Sequence, residues 1–566
     1  MSSTYTFSRL VKFLFSILLW QTALGGYALC VWTASEATRL CRTSGRWILD
    51  PKGRVLILRG INMSQSCKYP GFLPWQSEKE VEAMRGWGFN CVRLLLTWEA
   101  LEPEPGDYQE EYLDKVAEYV DWCGEAKIYV ILDMHQDVYA RKYQGNGCPS
   151  WSCIDDGIPF KPFPGHWAMN YGTASVIRAF DNFWADKEGP GGMGVQERYV
   201  LAWQHVAERF KDHPFVLGYD MMNEPFYGSA IVGVAACIGR AVGQALPGES
   251  LSLGDLASKR DGGQDPMAGV MQRLVEEEKL FGVFDQASRP GQLFEAKRLQ
   301  PFYNRLGQAL RQADPQGILF FEPAGGAGSG TRLRTAVRVP RWNLGGPMPN
   351  CVFAPHHYEF AAEMGGAYPV QKKLVTQALA RTEAARDQMD CPVWYGEWGA
   401  WNLSPPGIEE MVREHLDFFD ATLCGWAWWQ YGPDFKAFPL LPLLSRPYAQ
   451  VIAGRPTRMR TTETRFELEF EPLPEGGETV IWVPPALKTN VEIPTQGVSR
   501  DEEGFVRLVT PAEQKVVVVR IGLNPAPAPA PEPAQATEFA PAPAPEPAQA
   551  TEFAPAPEPA PAATAK

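Results

Sequence analysis

Surplus positive charge is the first thing this chain lacks: across 566 residues, 53 Lys and Arg stand against 66 Asp and Glu, a formal net charge of -13. A field of that sign repels polyanions, which argues against nucleic acid as a partner. Cysteine is also scarce, and eleven residues cannot form the framework of a disulfide-stapled fold at this length. No HExxH or comparable ligand spacing accompanies His135, His356 and His357, so a metal has no support in the pattern and no cofactor is implied. The glycine run AGGAGSG at 324–330 has no P-loop lysine and no Rossmann context, which speaks against a phosphate cradle. Beyond the N-terminus, no apolar run has the length of a membrane span.

Aromatic residues are plentiful: 12% of the chain, nineteen of them Trp, within a hydrophobic fraction of 45%. Such a composition excludes a wholly disordered or collagen-like protein, and the aromatic surplus fits sugar or lipid contact as well as a large core. At the N-terminus, Arg9 and Lys12 precede the apolar run Phe13 to Trp20, then the small residues Ala23, Gly25, Gly26 and Ala28. That layout reads as a secretory signal over residues 1–30 and predicts a secreted or extracytoplasmic protein, with an uncleaved signal anchor as the alternative. Removing Cys30 with the signal leaves ten cysteines, an even number. Cys148 and Cys153 bracket the short loop CPSWSC and are the best pair for a bridge, against the alternative of two buried free thiols.

Composition divides the chain into segments. Residues 524–566 are mostly Pro, Ala, Glu, Gln and Thr, with the block PEPAQATEFAPAP written twice, and predict a disordered tail without enough apolar surface to fold. Residues 455–523 contain the alternating runs RFELEF, TVIWVP, GFVRLV and KVVVVRI between Gly and Pro turns, the pattern of a small antiparallel β-sandwich. From 39 to 453, eight apolar runs recur: RVLILRGINM, FNCVRLLLTWE, IYVILDMHQD, FVLGYDMMNEP, GILFFEP, CVFAPHHYEF, CPVWYGEWGAW and LCGWAWWQY. Helical patterns lie between them, such as the Ser77/Glu80 capping box and YLDKVAEYVDWC. Eight buried parallel strands alternating with helices predict a (β/α)8 TIM barrel. The third and fourth gaps, 140 to 195 and 227 to 300, are too long for simple βα units and read as large loops at one end. The apolar stretch AIVGVAACIGRAVGQAL in the second of these either lines an acyl-chain channel or packs as a helix on the barrel.

Each run turns polar at its C-terminal end: Asn62, Arg93, His135 with Asp137, Asn223 with Glu224, Glu322, His356 with Tyr358, Glu397 and Trp429. In a barrel these ends converge on the face that carries active sites. Glu224 and Glu397, from the fourth and seventh runs, can face each other across the mouth. Two opposed carboxylates are what glycosidic cleavage requires, one to protonate the leaving oxygen and one to attack the anomeric carbon. Asn223 is placed to bond a sugar 2-OH, and Arg93 with Tyr358 to keep Glu397 ionised. Glu322 reads as a third acid or as a structural hydrogen-bonding group, His357 as buried, and Trp426 and Trp428 as packing under Trp429.

The motifs NEP on the fourth run, HHY on the sixth and GEW on the seventh resemble glycoside hydrolase family 5, which uses two barrel glutamates with retention. DMHQDVY, the loop NMSQSCKYPGFLPW, NEPFYG followed by FFEPAGG, and a β domain behind the barrel resemble the endoglycoceramidase-like members, over residues 45 to 520. The resemblance implies Glu224 as acid/base and Glu397 as nucleophile, and a substrate subsite formed by Arg93, His135, Asn223, His356, Tyr358 and Trp429. It also implies that Lys68 and Asp137 bind the sugar beside the cleaved bond. The expected activity is retaining hydrolysis of the linkage between the reducing-end sugar and ceramide in glycosphingolipids, at a membrane surface or micelle visited transiently. The alternatives are a β-glucosidase of glucosylceramide or steryl glucoside, a soluble endo-β-glucanase, and a glycolipid-binding pseudoenzyme.

Overall fold

The computed structural model describes residues 41–163, 167–249, 266–325, 333–359, 367–400, 403–492, 497–512 and 515–524. The expected signal segment and the Pro/Ala-rich tail after Asn524 lie outside the described residues. Three short strands come first, β1 (Arg42–Ser44), β2 (Trp47–Leu49) and β3 (Val55–Leu56). The barrel follows as β4 (Arg59–Met63), β5 (Cys91–Leu96), β6 (Tyr129–Met134), β7 (Val216–Asp220), β8 (Ile318–Phe321), β9 (Cys351–Phe353), β10 (His356–His357), β11 (Trp394–Trp398) and β12 (Gly425–Trp428). These pair in parallel in the order β10-β11-β12-β4-β5-β6-β7-β8-β9. β9 and β10 are halves of one strand, interrupted at Ala354–Pro355, where proline has no N–H for the ladder. A parallel bridge from Phe353 to Val393 closes the ring. The expected (β/α)8 barrel is the observed fold.

Strand alternation sorts the side chains into layers. Cys91, Ile131, Ile318, Phe320, Val352, Trp394 and Ala427 form a dry plug inside the barrel. Two positions further along their strands, Arg93 and Asp133 bring charge instead, so the interior changes from apolar to ionic just below the mouth. Outward-facing Val92, Leu94, Val130 and Leu132 join the core shared with the helices. The helix Glu110–Glu125 buries Leu113, Val116, Val120 and Cys123, three or four residues apart, and thus presents one apolar stripe to the strands. The capping box forms as read, with the Ser77 amide donating to Glu80 at 3.1 Å.

The two long gaps hold more helix than loop. After β6, the helix Ala174–Trp184 precedes the barrel helix Val195–Phe210; after β7, helices Ala230–Ala245, Pro266–Glu276 and Leu280–Phe294 precede the barrel helix Gln300–Ala313. The helices Ala230–Ala245 and Leu280–Phe294 pack against each other. Glycine permits the approach, since a Cβ on Gly233 would stand 3.3 Å from Pro290. The apolar stretch from 230 is therefore a packed helix, with Val234 buried and Val232 exposed.

The β domain comprises β13 (Tyr448–Ile452), β14 (Gly454–Thr461), β15 (Arg465–Pro472), β16 (Gly477–Trp482), β17 (Lys488–Glu492), β18 (Val498–Arg500), β19 (Phe505–Thr510) and β20 (Val517–Asn524). One sheet runs β1-β2-β3-β13-β16-β19-β18 and the other β14-β15-β20-β17. The expected boundaries therefore need correction, because β1–β3 and β13 belong to this domain and the barrel begins at Arg59, not near 39. The run RVLILRGINM conceals two strands: Val55–Leu56 pairs antiparallel with β13, and only Arg59–Met63 enters the barrel. An unbroken apolar run carries no mark of where it changes sheets. Phe466, Leu468 and Phe470 of RFELEF alternate into the sandwich core as expected.

The domains meet at Gly88, whose φ is +86°. Tyr448 Oη donates to its carbonyl at 2.7 Å, and Gln450 Nε2 at 2.9 Å. The proposed Cys148–Cys153 bridge is absent, and all ten cysteines of the described residues are free thiols. The Ser150–Ser152 turn between them directs Cys153 Sγ toward the Pro149 carbonyl, 3.8 Å away. Both thiols are buried, and burial pushes Cys153 up to about 12.

Candidate active site

The functional side chains stand at or just beyond the C-terminal ends of the barrel strands, and Arg93 of β5 organises them. Its guanidinium is fully buried and donates through Nε to Asp220 at 2.9 Å, through Nη2 to Asn223 Oδ1 at 2.9 Å and through Nη1 to Glu397 Oε1 at 2.7 Å. Asp133 lies 2.9 Å and Glu322 3.4 Å from Nη2. Burial alone would favour losing the proton, but the four surrounding carboxylates outweigh it and hold the Arg93 pKa well above its ordinary value. A single cation cannot neutralise four carboxylates, and His356, 3.2 Å from Glu322, supplies a second positive group. Burial pushes Asp220 up to about 6, and at Glu322 the same effect is opposed by the His356 and Arg93 charges.

Glu224 and Glu397 meet at His356. The imidazole Nδ1 lies 3.0 Å from Glu224 Oε1 and 3.7 Å from Glu397 Oε2. The three groups offer one atom each within 4.8 Å of one another. On the far side of the ring, Nε2 lies 3.2 Å from Glu322 Oε1. Burial would drive His356 neutral, but Glu322 and Glu397 prevail and hold its pKa well above the usual histidine value. Tyr358 Oη donates to Glu397 Oε2 at 3.0 Å, so each oxygen of that carboxylate accepts a fixed hydrogen bond. Glu224 has φ +42°, a left-handed backbone unusual for a side chain with a Cβ. Asn223 is oriented by Arg93 at Oδ1 and by donation from Nδ2 to the Gln136 carbonyl at 3.0 Å, which leaves the second Nδ2 hydrogen for a ligand hydroxyl.

A second group adjoins the first. Lys68 Nζ contacts Asp137 Oδ2 at 2.7 Å and lies 4.2 Å over the Trp429 ring, and His135 stacks on the same ring at 5.6 Å. Burial would raise Asp137, but Lys68 and His135 overcome it and hold its pKa well below the usual carboxylate range. A flat aromatic face beside an ion pair with hydrogen-bonding capacity is a surface on which a sugar ring can lie. All ten side chains expected at the site thus fall in one continuous constellation.

A family-wide model, Cellulase (glycosyl hydrolase family 5), matches residues 49–435. The chain belongs to glycosyl hydrolase family 5. Among curated relatives of this family 5 hydrolase, Endoglycoceramidase I of Rhodococcus hoagii is 23% identical over 498 residues, 86% of each chain. A Glucosylceramidase of Rhizopus delemar is 30% identical over 241 residues, which span 33% of this chain and 35% of that protein. Among solved structures, Endo-glycoceramidase II from Rhodococcus sp. is 28% identical and superposes with a TM-score of 0.67 over 86% of this chain and 100% of that one. That enzyme has also been solved as a ganglioside GM3 complex and as a lactosyl-enzyme intermediate.

Several site residues of this family 5 member escape a reading of strand ends. Asp133 within β6 and Asp220 as the last residue of β7 interrupt otherwise apolar strands, each in phase with the inward-facing positions. Asn146 donates to Asp137 Oδ2 at 2.9 Å, and Gln136 donates to the carbonyls of Asn223 and Glu224 at 3.0 and 3.1 Å. Trp426 and Trp428 do not pack under Trp429 as expected. They point outward against Trp398, with ring centroids 5.3 and 4.9 Å away, because strand alternation puts Trp429 on the opposite face. His357 is buried beside His415, away from the mouth. The trio Glu224, His356 and Glu397 has metal-ligand atom types, but Arg93 and a proton on His356 already compensate its charge.

Proposed function

We propose that this family 5 hydrolase is a retaining endo-β-glycosidase that cleaves between the reducing-end sugar and ceramide in glycosphingolipids. The observation that carries the reading is the approach of Glu224 and Glu397 to within 4.8 Å with His356 between them. Carboxyl groups that close suit direct attack at the anomeric carbon, whereas the inverting reaction needs ~6.5–9.5 Å to seat a water. Glu397, held by Arg93 and Tyr358, attacks C1 while Glu224 protonates the glycosidic oxygen. Ceramide leaves, and the sugar remains esterified to Glu397. Glu224, now a carboxylate, takes a proton from water, which attacks C1 and releases the β-anomer. Asn223 bonds the 2-OH, a contact that strengthens as positive charge develops on the ring.

The relatives support the ceramide assignment, in particular the Rhodococcus enzyme solved with ganglioside GM3 and with a lactosyl group. A specific observation keeps glucosylceramide β-glucosidase as a second reading, namely the 30% identity to the fungal glucosylceramidase. The lipid end of either substrate resides in a membrane or micelle. Tyr69, Trp75, Val232, Leu293 and Val370 are exposed apolar residues on connections that leave strand C-terminal ends, and they suit transient contact with that surface. The N-terminal layout of charges and apolar residues supports secretion, with membrane tethering by an uncleaved segment as the alternative. Mass spectrometry of products from a mixed glycolipid extract tests the proposal. Intact oligosaccharides appearing together with free ceramide are expected; glucose as the sole sugar product would transfer the assignment to the β-glucosidase reading.

A further inference from the structure

Glu322 has no part in the double displacement, yet its buried carboxylate touches the Glu224 peptide, His356 and Arg93. Oε2 accepts the backbone N–H of Glu224 at 3.1 Å. Oε1 lies 3.2 Å from His356 Nε2 and 3.4 Å from Arg93 Nη2. The residue itself is anchored at its backbone, where Tyr303 Oη donates to its carbonyl at 3.1 Å and lies 3.2 Å from its amide. Two chains of contact therefore run from one carboxylate to Glu224, one through the peptide and one through the imidazole.

We propose that Glu322 is the positioning residue of the acid/base, fixing the left-handed backbone of Glu224 and the donor direction of His356 together. The peptide at Glu224 has φ +42°, so an acceptor on its N–H opposes relaxation to an ordinary extended or helical conformation. A negative group at Nε2 keeps a proton on that nitrogen and keeps the ring protonated, so that Nδ1 also donates, to Glu224 Oε1. Glu224 must exchange a proton twice per turnover from the same place, and a second contact at its peptide keeps that place constant. The inference rests on the proposed roles of Glu224 and Glu397.

The charges that face the Glu322–His356 pair come from every adjoining strand: Arg93 of β5, Asp133 of β6, Asp220 at the end of β7 with Glu224 beyond it, Tyr358 after β10 and Glu397 of β11. Tyr303 approaches from the helix side. Replacing Glu322 with a neutral isostere removes one negative charge from this set, so the remaining groups give up protons more readily. Glu322→Gln is therefore expected to shift the alkaline limb of the kcat/KM profile to lower pH by roughly one unit, with kcat down about tenfold or more and KM little changed. Glu322→Asp keeps the charge on a shorter arm. Its rate should fall while the alkaline limb stays where it is in the wild type.

Full-length wild type, Glu322→Gln, Glu322→Asp and Glu224→Ala are compared on a lactosyl lipid and on a soluble activated aryl lactoside across pH. A displaced limb in Glu322→Gln alone supports the proposal. Superimposable profiles in all folded variants, or an equal displacement in Glu322→Asp, overturn it and leave Glu322 as packing. If Glu322→Gln does not fold, the aspartate profile decides, since a displaced limb there contradicts a role that depends on charge. Glu224→Ala reports separately on the parent reading. If it loses both substrates equally, the acid/base assignment fails whatever the Glu322 variants do.

Discussion

At the scale of single residues, Arg93 explains how a buried site can hold so many acids. It contacts Asp133, Asp220, Glu322 and Glu397, and the negative charge it leaves uncompensated is met by the His356 imidazolium beside Glu322 and by the raised pKa of Asp220. Two predictions follow from that balance. Glu224→Ala should slow glycosides with poor leaving groups by about a hundredfold or more and activated aryl glycosides far less, because only the former need protonation. Steady-state rates on the two substrate classes check this, and equal losses would remove Glu224 from the acid role. The second concerns stability. Burial raises Asp220 to about 6 and Glu295 to about 7. A carboxyl with a raised folded-state pKa contributes stability that is fully present below its unfolded pKa and is lost as pH rises through the folded value. Thermal melting should accordingly give a higher Tm near about pH 5 than near about pH 8.5; a Tm that rises over this range would contradict the assignment. The residues at strand ends were legible in the sequence because polar groups there interrupt apolar runs. Asp133 and Asp220 were not singled out, because the Arg93 that pairs with them comes from a different strand, β5, and no spacing in the sequence links the three.

Among elements, the barrel was legible and its junctions were not. Period and punctuation identify eight strands, but the switch from β3 to β4 inside one apolar run depends on which sheet each half pairs with. The same holds for the connection after β7, whose helices cover apolar surface that the sequence pattern alone assigns equally well to a lipid channel. Gly88 marks the junction between barrel and β domain, since a Cβ there would come within 2.2 Å of Trp482 Nε1 in addition to the strain of a positive φ. Gly88→Ala should cost on the order of 2–4 kcal/mol and lower the Tm by at least several degrees, read by thermal melting, whereas an unchanged Tm would mean the junction yields freely. The helices after β7 give a different expectation. Val234 is buried, so a charge there tests folding, while exposed Val232 and Leu293 can be altered without opening the core. A Val232→Glu/Leu293→Glu variant should hydrolyse vesicle-borne glycolipid about fivefold or more less efficiently and a soluble aryl glycoside at the wild-type rate. Parallel losses on both substrates would exclude a role confined to the lipid surface.

For the whole molecule, an acidic chain of net charge -13 presents a polar, aromatic-floored mouth on the face where its exposed apolar connections also lie. That combination suits a substrate with a neutral or zwitterionic surround, a sugar at one end and hydrocarbon at the other. The β domain is completed by strands from both ends of the barrel, β1–β3 before it and β13 after it, so the two domains form one compact unit. Retention and endo-cleavage make the central claim, and both are visible in one experiment. Proton NMR of the reaction on a trihexosyl or longer ceramide, recorded before mutarotation, should show the intact oligosaccharide released first as its β-anomer. Release of the α-anomer, or of single sugars from the non-reducing end, would contradict the account.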